Sequence, residues 1–412
     1  MRVLLVHQNF PGQFRHLVSG LTGRLGWDVV GVGGEKAPGL PDVKMYRYKL
    51  HRQVAGQQHP YLRQMESAVL HGQAVARLLL GLKKEGFAPD VVLAHPGWGE
   101  TLFIRDIFPD IRVVHYCEWY YGIKGSDSGF DPEFPVTLDG SARVRAWNAL
   151  HLLNLETCDS GVSPTSWQKN QHPRLYQDKI SVIHEGINTD NLAPDHGVAF
   201  AAPSGAVFRF GDPVITYVSR NLEPYRGFHI FMRALEIVQR KHGACQALIV
   251  GGGGVSYGRP PEGAANWREK MLEEVRLDPA RTHFVGKVPY DVYRRILQVS
   301  LVHVYLTYPF VLSWSMLEAM CSGCLVVGSR TAPVEEVIRD GENGLLADFF
   351  DVEGIADRIL EVLDSPERFA AMRERARKDA CERFTLRAGL EGYQAALENA
   401  FSRKAGNQEI KQ

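Results

Sequence analysis

Short apolar runs recur along this chain, and each is followed by a turn and then by apolar positions at helical spacing. In the first half the runs are Arg2 to His7, Asp28 to Val32, Val91 to Ala94, Val113 to Tyr116, Asp159 to Ser163 and Ile180 to His184, about six strands. In the second half they are Val214 to Val218, Ala247 to Val250, His283 to Val285, Leu301 to Leu306 and Leu325 to Gly328. Phe14, Leu17, Val18 and Leu21 fit a helix after the first run, and Met65, Val69, Leu70, Ala74, Leu78 and Leu79 fit a long one over Tyr61 to Lys84. Further helices are expected over Val352 to Leu363, Phe369 to Arg383 and Leu386 to Phe401. Strands that are apolar throughout and alternate with helices imply parallel sheets covered on both faces. The fold class is therefore α/β, with doubly wound sheets.

A chain of 412 residues exceeds one ordinary core, so two domains are expected. Three prolines and several small residues between Asn191 and Pro213 place the boundary there, giving domains of about 1–200 and 201–385. Apolar residues make up 45% and charged residues 23%, the balance of a soluble globular protein. Lys plus Arg equals Asp plus Glu at 47 each, so no global field draws the chain to nucleic acid. No apolar run approaches the ~20 residues of a membrane span, and MRVLLVHQNF turns polar too soon for a signal peptide. A cytoplasmic location is the expectation; a weak peripheral membrane contact through the helix ending at Lys83 and Lys84 is the alternative to a purely structural reading. The six cysteines form no disulfide framework, and Cys321 with Cys324 reads as two small buried residues rather than half a zinc site. The tail Gly406 to Gln412 is expected to be unstructured.

The stretch Pro309 to Asp348 carries the densest chemistry. It begins after the run Leu301 to Leu306, at the carboxyl edge where open α/β sheets bind ligands. Ser313 and Ser315 open a helix whose first amides suit a phosphate, and Glu318 lies on that helix where a carboxylate can accept from a diol. Diphosphate beside diol describes a nucleotide. Arg220 and Arg226, in SRNLEPYRG after the first strand of the second half, suit the charge that builds on a departing diphosphate.

This segment resembles the nucleotide-binding motif of the retaining glycosyltransferases of family four, the group 1 glycosyltransferases. Glu318, Ala319, Met320, Gly323, Val326, Val327, Glu336, Gly341, Asn343, Gly344 and Leu345 stand where that motif expects them. Phe310 departs from it, since the family usually has there a Glu that contacts hydroxyls of the donor sugar. The resemblance implies a GT-B fold, two Rossmann-like domains facing across a cleft, with a helix at about 386–405 returning to the first. It implies transfer of a hexose-type sugar from a UDP- or GDP-linked donor, with retention, to a glycan, glycolipid or other hydroxyl acceptor, as in cell-surface polysaccharide synthesis.

By the same resemblance Arg220 and Arg226 stand for the family's Arg and Lys on the diphosphate, and Gly251 and Gly252 for its glycine-rich turn. Val285 and Val288 frame the base; Phe310, Leu312, Ser313, Trp314, Ser315 and Glu318 line the donor site. In the first half Gly12 lets the backbone approach the donor and His115 lies near the donor sugar, with His95 and Glu185 as acceptor-side candidates. No cofactor and no metal are expected, because there is no D-x-D motif and the arginines take the electrostatic role. With Phe310 in place of Glu, front-face attack is favoured over double displacement. Lys124 to Asp139, with Asp127, Asp131 and Glu133, reads as a solvated loop before a helix with Arg143 and Arg145, or as an acceptor lid. The competing functions are a sugar-nucleotide epimerase of the same fold and a catalytically silent nucleotide-sugar or glycan binder. The sequence sets neither donor, acceptor nor oligomeric state.

Overall fold

The computed structural model describes residues 1–409, with side chains to Ser402; of the tail expected to be unstructured, Gly406 to Glu409 continue the last helix, and 410–412 lie outside the described residues. The chain divides into two compact units, 1–186 with 386–412, and 187–385.

The first unit holds seven parallel strands in the order β3-β2-β1-β4-β5-β6-β7. They are β1 (Arg2–Val6), β2 (Asp28–Gly34), β3 (Lys44–Tyr48), β4 (Val91–Ala94), β5 (Arg112–Tyr116), β6 (Ser160–Ser163) and β7 (Ile180–Val182). Strand β3 was not expected, because KMYRY mixes exposed and half-buried positions on a sheet edge and never reads as an apolar run. The order reverses between β1 and β4, whose pairing runs Val3 to Val91 through Val6 to Ala94. One face is covered by the helix Arg63–Lys84, which buries Val75, Leu79 and Leu82 against Leu4, Val6 and Val92. The other is covered by the helix Leu386–Glu409, which sets Leu390, Tyr393, Leu397 and Ala400 at alternating three- and four-residue spacing against Val3, Leu5, Phe14 and Leu21.

The second unit holds a parallel sheet in the order β12-β11-β10-β13-β14-β15 and a small antiparallel pair, β8 (Ala199–Ala201) with β9 (Val207–Arg209). The larger sheet comprises β10 (Val214–Asn221), β11 (Gln246–Gly252), β12 (Thr282–Gly286), β13 (Val302–Tyr305), β14 (Leu325–Ser329) and β15 (Leu345–Ala347). Its order reverses between β10 and β13. The division of the chain falls at Gly186–Ile187 rather than within 191–213. The prolines there mark a connection on the surface of the second unit, and the apolar residues between them are core: Leu192, Val198, Phe200 and Phe208 are buried in it. Cys321 and Cys324 are buried among the same apolar side chains. No helix among the described residues is long and apolar enough to cross a membrane.

Candidate functional site

In the second unit the strand reversal carries a cavity of about 90 Å³ lined by Ser219, Arg220, Asn221, Glu223, Arg226, Tyr257, Tyr305 and Ser313, among others. The location follows from topology, since strands that diverge to opposite sides leave a crevice at their carboxyl ends. The register of β10 against β11 slips between Val218 and Asn221, and this irregularity re-aims Ser219 and Arg220. Arg220 is exposed and makes no hydrogen bond or ion pair among the described residues.

Arg226 is held quite differently. It ends a 3-10 turn, Pro224–Arg226, and is only 9% exposed. Its Nη1 donates to Thr307 Oγ1 at 2.9 Å and to the Val311 carbonyl at 2.8 Å, with the Tyr305 hydroxyl at 3.3 Å. Its guanidinium carbon lies 5.6 Å from the Tyr257 ring centre and 5.9 Å from that of Phe310. Burial works against its charge, but Tyr305 and Tyr257 outweigh that and raise its pKa. Arg226 is thus a braced charge in the cavity wall, and Arg220 is the cation open to a ligand.

Phe310 is buried, edge-on to Tyr225 at 5.8 Å and to Tyr257 at 5.0 Å. The position where the family has a carboxylate is here part of an aromatic cluster, packed behind Tyr257 rather than lining the cavity. Glu223 does line it, yet its carboxylate accepts from three successive amides, Ser256, Tyr257 and Gly258, at 2.9 to 3.2 Å. Asn221 Nδ2 adds a bond to Ser256 Oγ at 2.8 Å. Asn221 at the end of β10 and Glu223 just past it therefore pin the glycine-rich loop and Tyr257 upon it.

The glycines of that loop answer to packing first. A Cβ on Gly251 would stand 2.8 Å from the Ser219 carbonyl, and one on Gly252 would stand 2.7 Å from Asn221 Oδ1. Ser313 caps the helix Trp314–Cys321 by accepting from the Ser315 amide at 3.3 Å, and its own amide donates to the Tyr305 hydroxyl at 2.7 Å. Leu312 is buried in the core with Trp314, partly buried, packed against the same cluster, so both brace the loop. Val285 and Val288, in and after β12, are half-buried against the core. Glu318 is nearly buried and accepts from the hydroxyls of Tyr290 at 3.0 Å and Tyr293 at 2.7 Å. Burial raises its pKa, opposed by those two bonds. Tyr290 is the exposed member of the trio.

In the first unit the expectation for His115 is corrected. It lies inside β5, only 1% exposed, with neither ring nitrogen hydrogen-bonded. Burial pushes its pKa down to about 3, so it is a neutral core side chain. Glu185 is likewise buried, accepting from the Tyr116 hydroxyl. The strand ends are held instead by His7 after β1, His95 after β4 and Glu118 after β5. His95 Nδ1 accepts from the Gly97 amide at 3.1 Å, which leaves its proton on Nε2 to donate to Glu118 Oε2 at 3.0 Å. His7 Nδ1 accepts from the Asn9 amide at 2.9 Å, and its Nε2 donates to Gln13 Oε1 at 2.7 Å. Gln13 Nε2 then donates to Glu118 Oε1 at 2.7 Å. Gly12 sits at φ +50°, and a Cβ there would lie 2.3 Å from the His7 ring, so what this structure shows it admitting is an imidazole.

Sequence reading missed Glu118, His7 and Gln13 here, and Glu223, Tyr257, Tyr290, Tyr293, Tyr305 and Thr307 in the second unit. His7 had the same strand-end signal as His95. The tyrosines had none, because their hydroxyls act through partners distant in sequence.

Comparison with known proteins gives these sites a context. Residues 25–192 match the model of the glycosyl transferase family 4 group, and residues 206–379 match that of the glycosyl transferases group 1. N-acetyl-alpha-D-glucosaminyl L-malate synthase of Bacillus anthracis is 33% identical over 104 residues, 25% of this chain and 27% of that enzyme. The chain spans between about a quarter and about half the length of the first curated relatives it matches. Sucrose-phosphate synthase from Thermosynechococcus elongatus superposes with a TM-score of 0.72 at 16% identity, over 98% of this chain and 100% of that one. Anabaena HepE, solved in complex with UDP-glucose, superposes with a TM-score of 0.68 at 14% identity, over 97% of this chain and 100% of that one. With both halves matched in order and two parallel-sheet α/β domains of the GT-B type, the chain belongs to the group 1 glycosyltransferases of family four.

Proposed function

We propose that this protein transfers a hexose-type sugar from a nucleotide diphosphate donor to a hydroxyl acceptor, with retention of configuration and without a metal. The observation that carries this reading is the open cation Arg220 beside the braced cation Arg226 in the cavity at the second unit's strand reversal. A departing diphosphate gains negative charge on its oxygens, and fixed cations aimed at that charge stabilise the transition state more than the ground state. Arg220 has the freedom to take phosphate oxygens in a bidentate manner. Glu318, held by Tyr290 and Tyr293, has lone pairs left for the ribose hydroxyls, and Val285 and Val288 flank the base.

The same cavity argues for front-face attack. Double displacement needs a free carboxylate nucleophile. Among the cavity-lining residues the carboxylate is Glu223, and its oxygens are engaged by three amides. In the front-face step the bond from the anomeric carbon to the diphosphate oxygen breaks, and the acceptor oxygen bonds to that carbon on the same face. The acceptor proton passes to the leaving diphosphate. UDP-glucose is the first donor to try, on the likeness to a protein solved with it.

The test is incubation of the full chain with UDP-glucose, UDP-N-acetylglucosamine and GDP-mannose, with and without mixed glycoside acceptors, in the presence of EDTA. The expected result is acceptor-stimulated release of nucleoside diphosphate and an α-linked product from an α-linked donor. Interconversion of sugars without release would identify an epimerase, and binding without turnover a silent binder.

A further inference from the structure

We infer that Cys321 and Cys381 are a redox pair: a peroxide-class oxidant joins them in a disulfide that ties the helix carrying Glu318 to the helix Ala370–Arg383. Its effect on nucleotide binding rests on the donor reading; the cross-link itself does not.

Packing brings the pair together. Ala376 and Ala380, one turn apart on the helix Ala370–Arg383, are buried in the same apolar cluster as Leu317, Met320 and Cys321. Side chains this small let two helices approach closely, and the flanking Cys381 then meets Cys321 with the two sulfurs 3.8 Å apart. The nearby Cys324 is engaged elsewhere, its thiol donating to the Leu297 carbonyl at 3.1 Å. The C-x-x-C spacing would pair Cys321 with Cys324; contact between helices pairs it with Cys381 instead. Arg377, one turn before Cys381, donates to the Cys321 carbonyl and to that of Leu192 at 2.7 Å, which fixes a cation beside the pair.

The two sulfurs differ in access, since Cys321 is fully buried and Cys381 is half-buried. Burial pushes the Cys321 thiol up, its neighbour Cys381 adds to this, and Arg377 opposes both. A buried, protonated thiol does not start the reaction, so Cys381 is the sulfur that meets the oxidant. It gives two electrons to the peroxide O–O bond and becomes a sulfenic acid, while the thiol proton and the departing hydroxide leave as water. The Cys321 sulfur then attacks that of Cys381; the S–O bond breaks, and the second hydroxide leaves with the Cys321 proton as water. Two thiols and one peroxide thus give one disulfide and two waters, and a dithiol reductant reverses the step by exchange. The bond draws Cys321 toward Cys381, and Cys321 lies one turn after Glu318 on the same helix. The Glu318 carboxylate is held by Tyr290 and Tyr293 from the helix Tyr290–Val299, so a shift of its own helix changes how it meets a ribose.

The experiment treats the reduced full chain with hydrogen peroxide, counts free thiols, maps the peptides by mass spectrometry and measures UDP affinity by calorimetry before and after. Two of the six thiols should be lost, and a peptide pair joined through Cys321 and Cys381, lighter by two hydrogens, should appear. Dithiothreitol should restore both thiols. UDP affinity should fall roughly tenfold in the linked chain and recover on reduction, the kind of loss that follows a small displacement of a binding group. Cys381→Ala, at a half-buried position, should form no link and keep its UDP affinity through peroxide treatment; Cys381→Ser serves the same test should the alanine variant fold poorly. No link, or a link at another pair, overturns the inference, and UDP affinity within twofold in the linked and reduced wild type shows that the link does not reach Glu318. A link in a chain whose reduced form binds no UDP would instead overturn the donor reading and leave the cross-link standing.

Discussion

At the strand reversal of the second sheet stand two arginines, an aromatic cluster and a loop pinned by Glu223; at that of the first stand two imidazoles, a glutamine and a carboxylate. Each sheet is parallel, and each reverses beside its first main strand. The residues near the strand ends give the two edges different chemistry: cations at one, and at the other a carboxylate held by His95 and Gln13.

That contrast breaks most visibly at Arg220. Arg220→Ala should lower turnover by about 100- to 1,000-fold, the size of loss that follows removal of one charge-stabilising donor, with an unchanged circular dichroism spectrum. Near-normal turnover would take this arginine out of the mechanism. Next comes Glu318→Ala, which should weaken UDP binding by about 1.5–3 kcal/mol, since it removes a charged hydrogen-bond acceptor. Calorimetry showing unchanged affinity would detach Glu318 from the ribose. Glu223→Gln should then cost roughly tenfold in donor KM with a smaller change in kcat, because a neutral amide holds the loop amides of Ser256, Tyr257 and Gly258 less firmly. A kcat loss as large as that of Arg220→Ala would show Glu223 to be more than a loop anchor.

The smallest effect concerns the first unit alone. Glu100 is fully buried, bonded to the Tyr48 hydroxyl at 2.6 Å, and burial pushes its carboxyl up to about 7. A carboxyl raised on folding keeps its proton in the native state between its unfolded value and about 7, so its contribution to stability is full below the unfolded value and is lost as pH rises through about 7. Glu100→Gln should flatten the fall in melting temperature between pH 5 and 8 by a few degrees relative to the wild type. Parallel profiles would show that Glu100 is already ionised in the native protein.

Most of the strands were legible because a strand covered on both faces is apolar throughout, as in Val91–Ala94 and Leu325–Ser329, where every residue is buried. Edge strand β3 escaped because it lacks that uniformity. Among candidate site residues, Arg220 stands near the end of β10 and Glu318 on the helix Trp314–Cys321, as the spacing of the apolar runs led one to expect. Two expectations failed for a common reason. His115 is one position short of the end of its run, and Glu185 looks like a turn residue, yet both side chains are buried. His115 lies within β5, where residues 113 to 116 are all buried, whereas Glu118 stands two residues past the strand's end; position along the strand, rather than face, separates the core side chain from the one at the edge.

The amino-acid sequence by itself determined the α/β class, the two sheets and the group 1 glycosyltransferase motif around Glu318, because apolar run length, helical spacing and motif order are local properties of the chain. The tertiary structure decided which charges are open and which are braced. Arg226 became a wall residue when Thr307 and Val311 came within reach of it, and Glu118 became an oriented carboxylate when strands from three separate stretches brought His7, Gln13 and His95 to one edge. Such roles depend on hydrogen bonds between residues tens of positions apart, and the energy of a buried charge depends on those partners rather than on its neighbours in sequence.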